Sequence, residues 1–461
     1  MWARPTDSML SMRNSAPIYN RSMNSHVFAD RRRRLLDSMS TGVAVLPTAT
    51  EKFRNRDSAY PYRADSYFHY LTGFTEPEAV LVLVAGAAPK AILFCRDKDP
   101  DKEIWDGYRY GPEGAKTAFA VDEAYSIKEL DTKLPDLIAN QPTLWHSLGH
   151  DAAWDGRVIA ALNAVRAQSR AGKRAPTVIH DLRAVLDEMR LFKDAHEIGV
   201  MRRAASISAE AHRRAMRATA VGRHEYEIEA ELLHEFRRQG SQYPAYTSIV
   251  ASGANACVLH YVDNNRRMAD GEMLLIDAGC ELDGYAADIT RSFPVNGKFS
   301  GPQADIYQLV LDAQMAAIAE IKPGASFMAP HDAAVKVLAQ GMIDLKLLQG
   351  SRDSVIESGD FKRFYMHRTS HWLGSDVHDA GEYKYGNAPN DQWRPLATGM
   401  VLTVEPGCYI RPADGVPEAF WNIGVRIEDD ALVTESGCAI LTDYAPKTIA
   451  DIEAVMRENK G

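Results

Sequence analysis

At 461 residues the chain has room for two or three domains. Hydrophobic residues make up 46% and charged residues 25%, the balance of an ordinary globular protein. No apolar run is long enough to span a bilayer as a helix, and a net charge of −9 gives no reason to expect nucleic acid as a partner. Cys95, Cys257, Cys280, Cys408 and Cys438 are few, odd in number and far apart, without a CxxC pair, which argues against a disulfide framework and fits a reducing compartment.

The opening stretch, "MWARPTDSMLSMRNSAPIYNRSMNS", lacks the apolar core of a secretory signal. Residues 1–26 read as a disordered extension, with a mitochondrial transit peptide as the alternative. "RRRR" at Arg31–Arg34 adjoins "LLDSM" in a helical pattern and reads as a solvated helix face rather than a nucleic-acid patch. Strands and helices then alternate. "GVAVLP", "AVLVLVAG" and "AILFC" read as buried strands, and "IKELDTKLPDLIA" and "DGRVIAALNAVRAQ" as amphipathic helices. This gives an α/β N-terminal domain over 27–191 with no compact cluster of His, Cys and acids.

From Asp194 the texture changes. "DAHEIGVMRRAASISAEAHRRAMRATA" and "EYEIEAELLHEFRRQG" read as helices, followed by "YTSIVASG" and "CVLHYV". A hairpin, "GEMLLIDAGCELDGYAADITRSFPV", precedes two further helices, "PQADIYQLVLDAQMAAIAEI" and "MAPHDAAVKVLAQGMIDL". After Arg363 the pattern returns to short strands and loops, so 192–461 reads as a second, α+β domain. "GEMLLIDAGC" matches "GMVLTVEPGC" without a gap, and each copy leads to a second strand-borne acid, Asp288 and Glu428. A duplicated unit bringing two acids per copy to a shared centre accounts for this; chance similarity between buried strands is the alternative.

The hairpin raises the chemical question. Asp283–Gly284 is a two-residue turn signal. Pairing about it sets Asp277 opposite Thr290 and Asp288 opposite Gly279, so the two aspartates are diagonal neighbours on one face. Diagonal positions lie roughly 7–8 Å apart, within reach of one ion, and Thr290 can hydrogen-bond one carboxylate. Two like charges so placed would force one to stay protonated unless a divalent metal intervenes. The bland reading is a pair at a hydrated hairpin rim. Further on, Glu405 ends "MVLTVE", and Glu428 in "VRIEDD" shares a face with Arg426, suited to clamp carboxylates. "FYMHRTSHWLGSDVHDAGEY" places His367, His371 and His378 within twelve residues, and there is no HExxH. Asp277, Asp288, His371, Glu405 and Glu428 form an oxygen-rich set whose charge two divalent ions would balance. Such a set favours Mn²⁺, with Co²⁺, Fe²⁺ or Zn²⁺ possible. Two ions about 3.5–4 Å apart can activate a water for hydrolysis.

In this order the five residues resemble the ligands of the pita-bread metallopeptidases, the family of methionine aminopeptidase, prolidase and aminopeptidase P. "IDAGCELDGYAADITRSFPVNGKF", "SHWLGSDVHD", "TVEPGCYI" and "VRIEDDALV" carry the resemblance. "SAYPYRADSYFHYLTGFTEPEAVLVL" is similar to the N-terminal domain of bacterial-type aminopeptidase P. The resemblance implies an α/β N-terminal domain followed by a pita-bread catalytic domain. It implies the five residues as metal ligands and Glu405 as the general base. It gives His378 the scissile carbonyl, His260 and His367 the cleft wall, and Arg426 and Tyr409 a place behind the metals. Trp105 matches a tryptophan that reaches a neighbouring subunit, so a homo-oligomer, dimer or tetramer, is expected. Ser375 stands where the family often has a larger apolar residue. The expected activity is removal of an N-terminal residue preceding proline by an enzyme with two divalent ions, most simply Mn²⁺, in the cytoplasm or alternatively the mitochondrion. A prolidase restricted to dipeptides is the runner-up, and a non-catalytic binding protein the rival from another class. No nucleic-acid or membrane partner is expected.

Overall fold

The computed structural model describes residues 21–386 and 392–458. The extension assigned to residues 1–26 lies outside the described residues as far as residue 20, and residues 21–26 are the first turns of α1 (Arg21–Met39). The chain divides into two compact units, one ending at Val185 and the other beginning at Leu186.

The first unit is built on six strands, β1 (Gly42–Pro47), β2 (Val80–Ala85), β3 (Lys90–Cys95), β4 (Glu123–Ser126), β5 (Thr143–Trp145) and β6 (Val178–His180), in the order β4-β3-β2-β1-β5-β6. β2 is antiparallel to both its neighbours, and the remaining pairs are parallel. The central strands are continuous apolar runs rather than alternating ones, as sheets covered on both faces require. Val43, Val45, Val80, Val82, Ile92 and Phe94 pack with Leu130 and Leu134 of α2 (Leu130–Ile138) and Val158 and Leu162 of α3 (Ala152–Arg166).

The arginine run corrects an expectation. Arg31 and Arg32 are only 1% and 2% exposed. Arg31 donates to the Tyr70 carbonyl (3.1 Å), and Arg32 to those of Leu71 (2.8 Å), Phe119 (3.0 Å) and Ala120 (2.6 Å). These carbonyls end the helices Ser66–Thr72 and Gly111–Ala118, where the last C=O groups have no partner within the helix. Half of the run therefore caps helix termini from inside the unit, on the same face as Leu35, while Arg33 and Arg34 stay exposed.

The second unit opens with α4 (Ala195–Ala218), capped by Asp194 and Glu197 in a capping box, and α5 (Glu225–Arg238). Strands β7 (Tyr243–Pro244), β8 (Ile249–Ser252), β9 (Met273–Asp277), β10 (Cys280–Leu282), β11 (Tyr285–Ala286) and β12 (Thr290–Pro294) precede α6 (Gly301–Ala319) and α7 (Ala329–Asp344). Then come β13 (Val401–Val404), β14 (Gly407–Ile410), β15 (Ile423–Arg426), β16 (Asp429–Val433), β17 (Cys438–Ile440) and α8 (Ile449–Arg457). One apolar cluster joins Ile207, Leu232, Ile306 and Val310 of the helices to Leu274, Ile276, Val401 and Leu402 of the strands.

The hairpin has the expected register: Asp277 faces Thr290, and Leu282 faces Tyr285. Asp283 and Gly284 both have positive φ, +48° and +81°, as a type I′ turn demands. It is nonetheless split between two sheets, β8-β9-β12 and β11-β10-β7. At the split a Cβ on Gly279 would collide with the Ala287 carbonyl, so only glycine allows this backbone approach. The second copy splits in the same way, β13 pairing with β16 and β14 with β15. Its register (Val404 to Asp429, Gly407 to Arg426) sets Glu428 where the first copy has Thr290, and Arg426 where it has Asp288. The copies therefore match in strand plan, but the two second acids are not equivalent.

Candidate metal centre

Each expected acid sits where a strand ends or breaks. Asp277 ends β9, Asp288 lies between β11 and β12, Glu405 follows β13, and Glu428 lies between β15 and β16. His371 arrives on a segment antiparallel to β13: Thr403 N donates to His371 O (3.0 Å), Glu405 N to Thr369 O (2.8 Å) and Leu373 N to Val401 O (3.1 Å). The His371 ring sets Nδ1 3.0 Å from the Trp372 carbonyl. That contact turns Nε2 toward the carboxylates, 3.5 Å from Asp288 Oδ2 and 3.7 Å from Glu405 Oε1.

Asp288, His371 and Glu428 each offer a ligand atom within 4.8 Å of the other two. Asp277 joins them through Tyr246, whose hydroxyl lies 2.6 Å from Asp277 Oδ1 and 2.6 Å from Asp288 Oδ1. A phenol has one proton to give, so it can donate to only one of the two oxygens at a time. Arg426 braces the other side, with Nη2 2.6 Å from Asp277 Oδ2, Nη1 2.9 Å from Tyr409 OH and Nε 3.2 Å from Thr290 Oγ1. Thr290 in turn donates to Glu428 Oε2 at 2.6 Å, and the Tyr409 hydroxyl lies 2.8 Å from His367 Nε2.

Burial dominates the electrostatics. It raises Asp288 against the pull of His371, with Asp277 adding to the rise. It pushes Glu405 up to about 7, although His371 and Arg426 oppose it, and raises Glu428 well above the carboxylate range, helped by Asp288, Glu405 and Asp277. For His371 burial works the other way, yet the Asp288 contact and the field of Glu405 lift it to about 9. Burial, then the Arg426 charge, bring His367 down to about 3. Carboxylates packed until they resist ionisation are suited to a cation, which would reverse each of these carboxyl shifts. Four acids and one imidazole form a hard, oxygen-rich set that fits divalent ions of the Mn²⁺ to Zn²⁺ series.

The His378 ring centroid is 4.2 Å from that of His371. His378 is lowered by burial, then by the charges of His371 and His260. His260 lies in an irregular loop after the turn Gly253–Cys257, and Ser375 is buried. Trp105 belongs to the first unit and is 85% exposed. Two residues of the centre were not foreseen. Tyr246 carries no pattern that marks it in "YPAYTSIV". Asp430, whose carboxylate accepts from Asp288 N at 3.2 Å, could have been found, since period two places it on the face of Glu428.

A family model described as metallopeptidase family M24 matches residues 199–435, and one described as the aminopeptidase P N-terminal domain matches residues 28–145. The Xaa-Pro aminopeptidase of Haemophilus influenzae is 47% identical over 440 residues, covering 95% of this chain and 99% of that protein. The Xaa-Pro aminopeptidase of Escherichia coli is 45% identical over 432 residues, covering 93% and 97%. Among solved structures, aminopeptidase PepP of Pseudomonas aeruginosa superposes with a TM-score of 0.93 at 47% identity, over 95% of this chain and 98% of that one. Zinc-substituted Escherichia coli aminopeptidase P in complex with product gives 0.92 at 43% identity, over 95% and 99%.

Proposed function

The chain belongs to metallopeptidase family M24, among its Xaa-Pro aminopeptidases, and from that premise we propose a hydrolase working with two divalent ions, most simply Mn²⁺. Its substrates are peptides whose second residue is proline, tripeptides and longer. Asp277, Asp288, His371, Glu405 and Glu428 would hold the ions. Bound there, they would offset the carboxylate charges and make a water acidic enough to lose a proton near neutral pH.

The side chains divide the remaining work. Glu405, whose carboxylate lies 3.7 Å from His371 Nε2, would take a proton from the attacking water and return it to the proline nitrogen as the bond breaks. His378, beside His371, steadies the negative charge that grows on the scissile carbonyl oxygen. His260 and His367 line the cleft. Arg426, with Tyr409 and Thr290, fixes Asp277 and Glu428 so that the carboxylates keep their spacing. The observation that carries this reading is the convergence of Asp288, His371 and Glu428, whose ligand atoms lie within 4.8 Å of one another, with Asp277 joined to Asp288 by the Tyr246 hydroxyl. The exposed Trp105 supports an oligomer in which one subunit reaches another. Five free cysteines support a reducing location, the cytoplasm. No helix among the described residues is long and apolar enough to cross a membrane.

The test is Mn²⁺-dependent hydrolysis of a Xaa-Pro-Yaa tripeptide beside a Xaa-Pro dipeptide, with a chelator control. Release of the first residue from the tripeptide, stopped by chelator, is the expected result. Cleavage of the dipeptide alone would make the enzyme a prolidase.

A further inference from the structure

Glu225 is the first residue of α5, and it is fully buried. Its carboxylate accepts five hydrogen bonds, all from the segment 252–266. Oε1 takes Ser252 N (2.7 Å), Ser252 Oγ (2.7 Å) and Asn255 Nδ2 (3.2 Å). Oε2 takes Tyr261 OH (2.7 Å) and Arg266 N (2.9 Å). A carboxylate has about four lone-pair sites, so five donors saturate it.

The segment it grips has little structure of its own. After the turn Gly253–Cys257 the chain runs without regular pairing to Arg267, and it carries His260 next to Tyr261. Further ties hold it: Arg266 Nη1 reaches Ser252 O (2.9 Å) and Glu272 Oε2 (3.0 Å), and Leu259 and Tyr261 pack against the cluster of Ile249, Ala251 and Leu275. Asn264, at φ +47°, spans Ser248 O (2.8 Å) and Val250 N (2.9 Å), and Arg411 Nε reaches Cys257 O (3.2 Å). The apolar packing of Leu259 and Tyr261 is non-directional, and none of these polar ties reaches a residue flanking His260, whereas Glu225 holds Tyr261 directly and Ser252 and Arg266 at the two ends.

We propose that Glu225 is a positioning residue for the hydrolysis: it closes the 252–266 loop into one shape and, through Tyr261, sets His260 in the cleft. This rests on the cleft role given to His260 above. The Glu225 carboxylate is wholly engaged by that loop and is not among the five proposed ligands, so it acts through the loop.

The experiment is a double-mutant cycle on the metal-loaded enzyme with a Xaa-Pro-Yaa tripeptide, reading kcat and KM separately, together with metal content and thermal midpoint. Glu225→Gln keeps one accepting oxygen but turns an NH₂ toward Arg266 N–H. It should lower kcat/KM about tenfold, in line with sub-ångström misplacement of an active group, with metal content unchanged. Tyr261→Phe removes a single hydrogen bond and should cost about threefold by the same mechanism; it decides the question if Glu225→Gln does not fold. Once His260→Ala is present, neither change should lower activity further. Equal losses with and without His260 would overturn the proposal, and so would a silent Glu225→Gln beside an impaired His260→Ala. A silent His260→Ala overturns it by another route, removing the cleft role of that histidine itself.

Discussion

Two groups of buried acids lie in the second unit, and the protein treats them oppositely. Asp379 meets Lys193 Nζ at 2.9 Å and Arg190 Nη2 at 2.5 Å, and Asp429 meets Arg291 Nη2 at 2.7 Å and Lys447 Nζ at 2.8 Å. Burial pushes both carboxyls up, but these cations outweigh it and hold them below the ordinary range. Asp288 and Glu428 are buried and Glu405 partly so, and although His371 and Arg426 oppose it, burial with the neighbouring acids keeps all three raised. The difference separates scaffold from site. An acid held below its ordinary range by two cations pins the fold together, whereas an acid kept raised by burial and like charges is placed for a cation from outside. Asp429 and Glu428 are sequence neighbours, so strand alternation alone sorts them: one faces Arg291, the other the centre.

Breaking the site group should stop turnover and spare the fold. Glu405→Ala or His371→Ala is expected to lower kcat by about 10³-fold or more, with circular dichroism unchanged. Breaking the scaffold group should do the reverse. Lys193→Met leaves Asp379 buried beside Arg190 alone and should destabilise the protein by about 3–5 kcal/mol, read by urea unfolding. Acid sharpens the contrast. Asp379 and Asp429 are depressed in the folded chain, so their stabilisation is complete above the unfolded value of about 3.9 and is lost as pH falls through their folded values. Unfolding midpoints should therefore fall below about pH 4, and Asp429→Asn should flatten that dependence. The smallest effect belongs to the bridge between aspartates. Tyr246→Phe removes the hydroxyl shared by Asp277 and Asp288 and should weaken metal binding by about tenfold, measured by competition with a chelator.

Part of the site's framework was legible beforehand. The turn at Asp283–Gly284 fixed the pairing of Asp277 with Thr290, because a two-residue loop leaves one register. Strand alternation placed Arg426 with Glu428, and the helical pattern that starts at Asp194 marked α4. What escaped depends on distant chain. Tyr246 reaches the aspartates only because β8 pairs with β9, and Arg31 and Arg32 turn inward only because two remote helices end beside them. Local periodicity cannot distinguish an arginine facing water from one facing carbonyls. The non-equivalence of Asp288 and Glu428 was hidden likewise, since an ungapped match of ten residues says nothing about the returning strand.

The most direct measurement is metal stoichiometry, by elemental analysis of the protein loaded with Mn²⁺ and desalted, for the wild type and for Asp288→Asn. The account predicts two ions per chain in the wild type and loss of bound metal together with tripeptide hydrolysis in the variant. Full activity without bound metal, or two ions retained by Asp288→Asn, would contradict it.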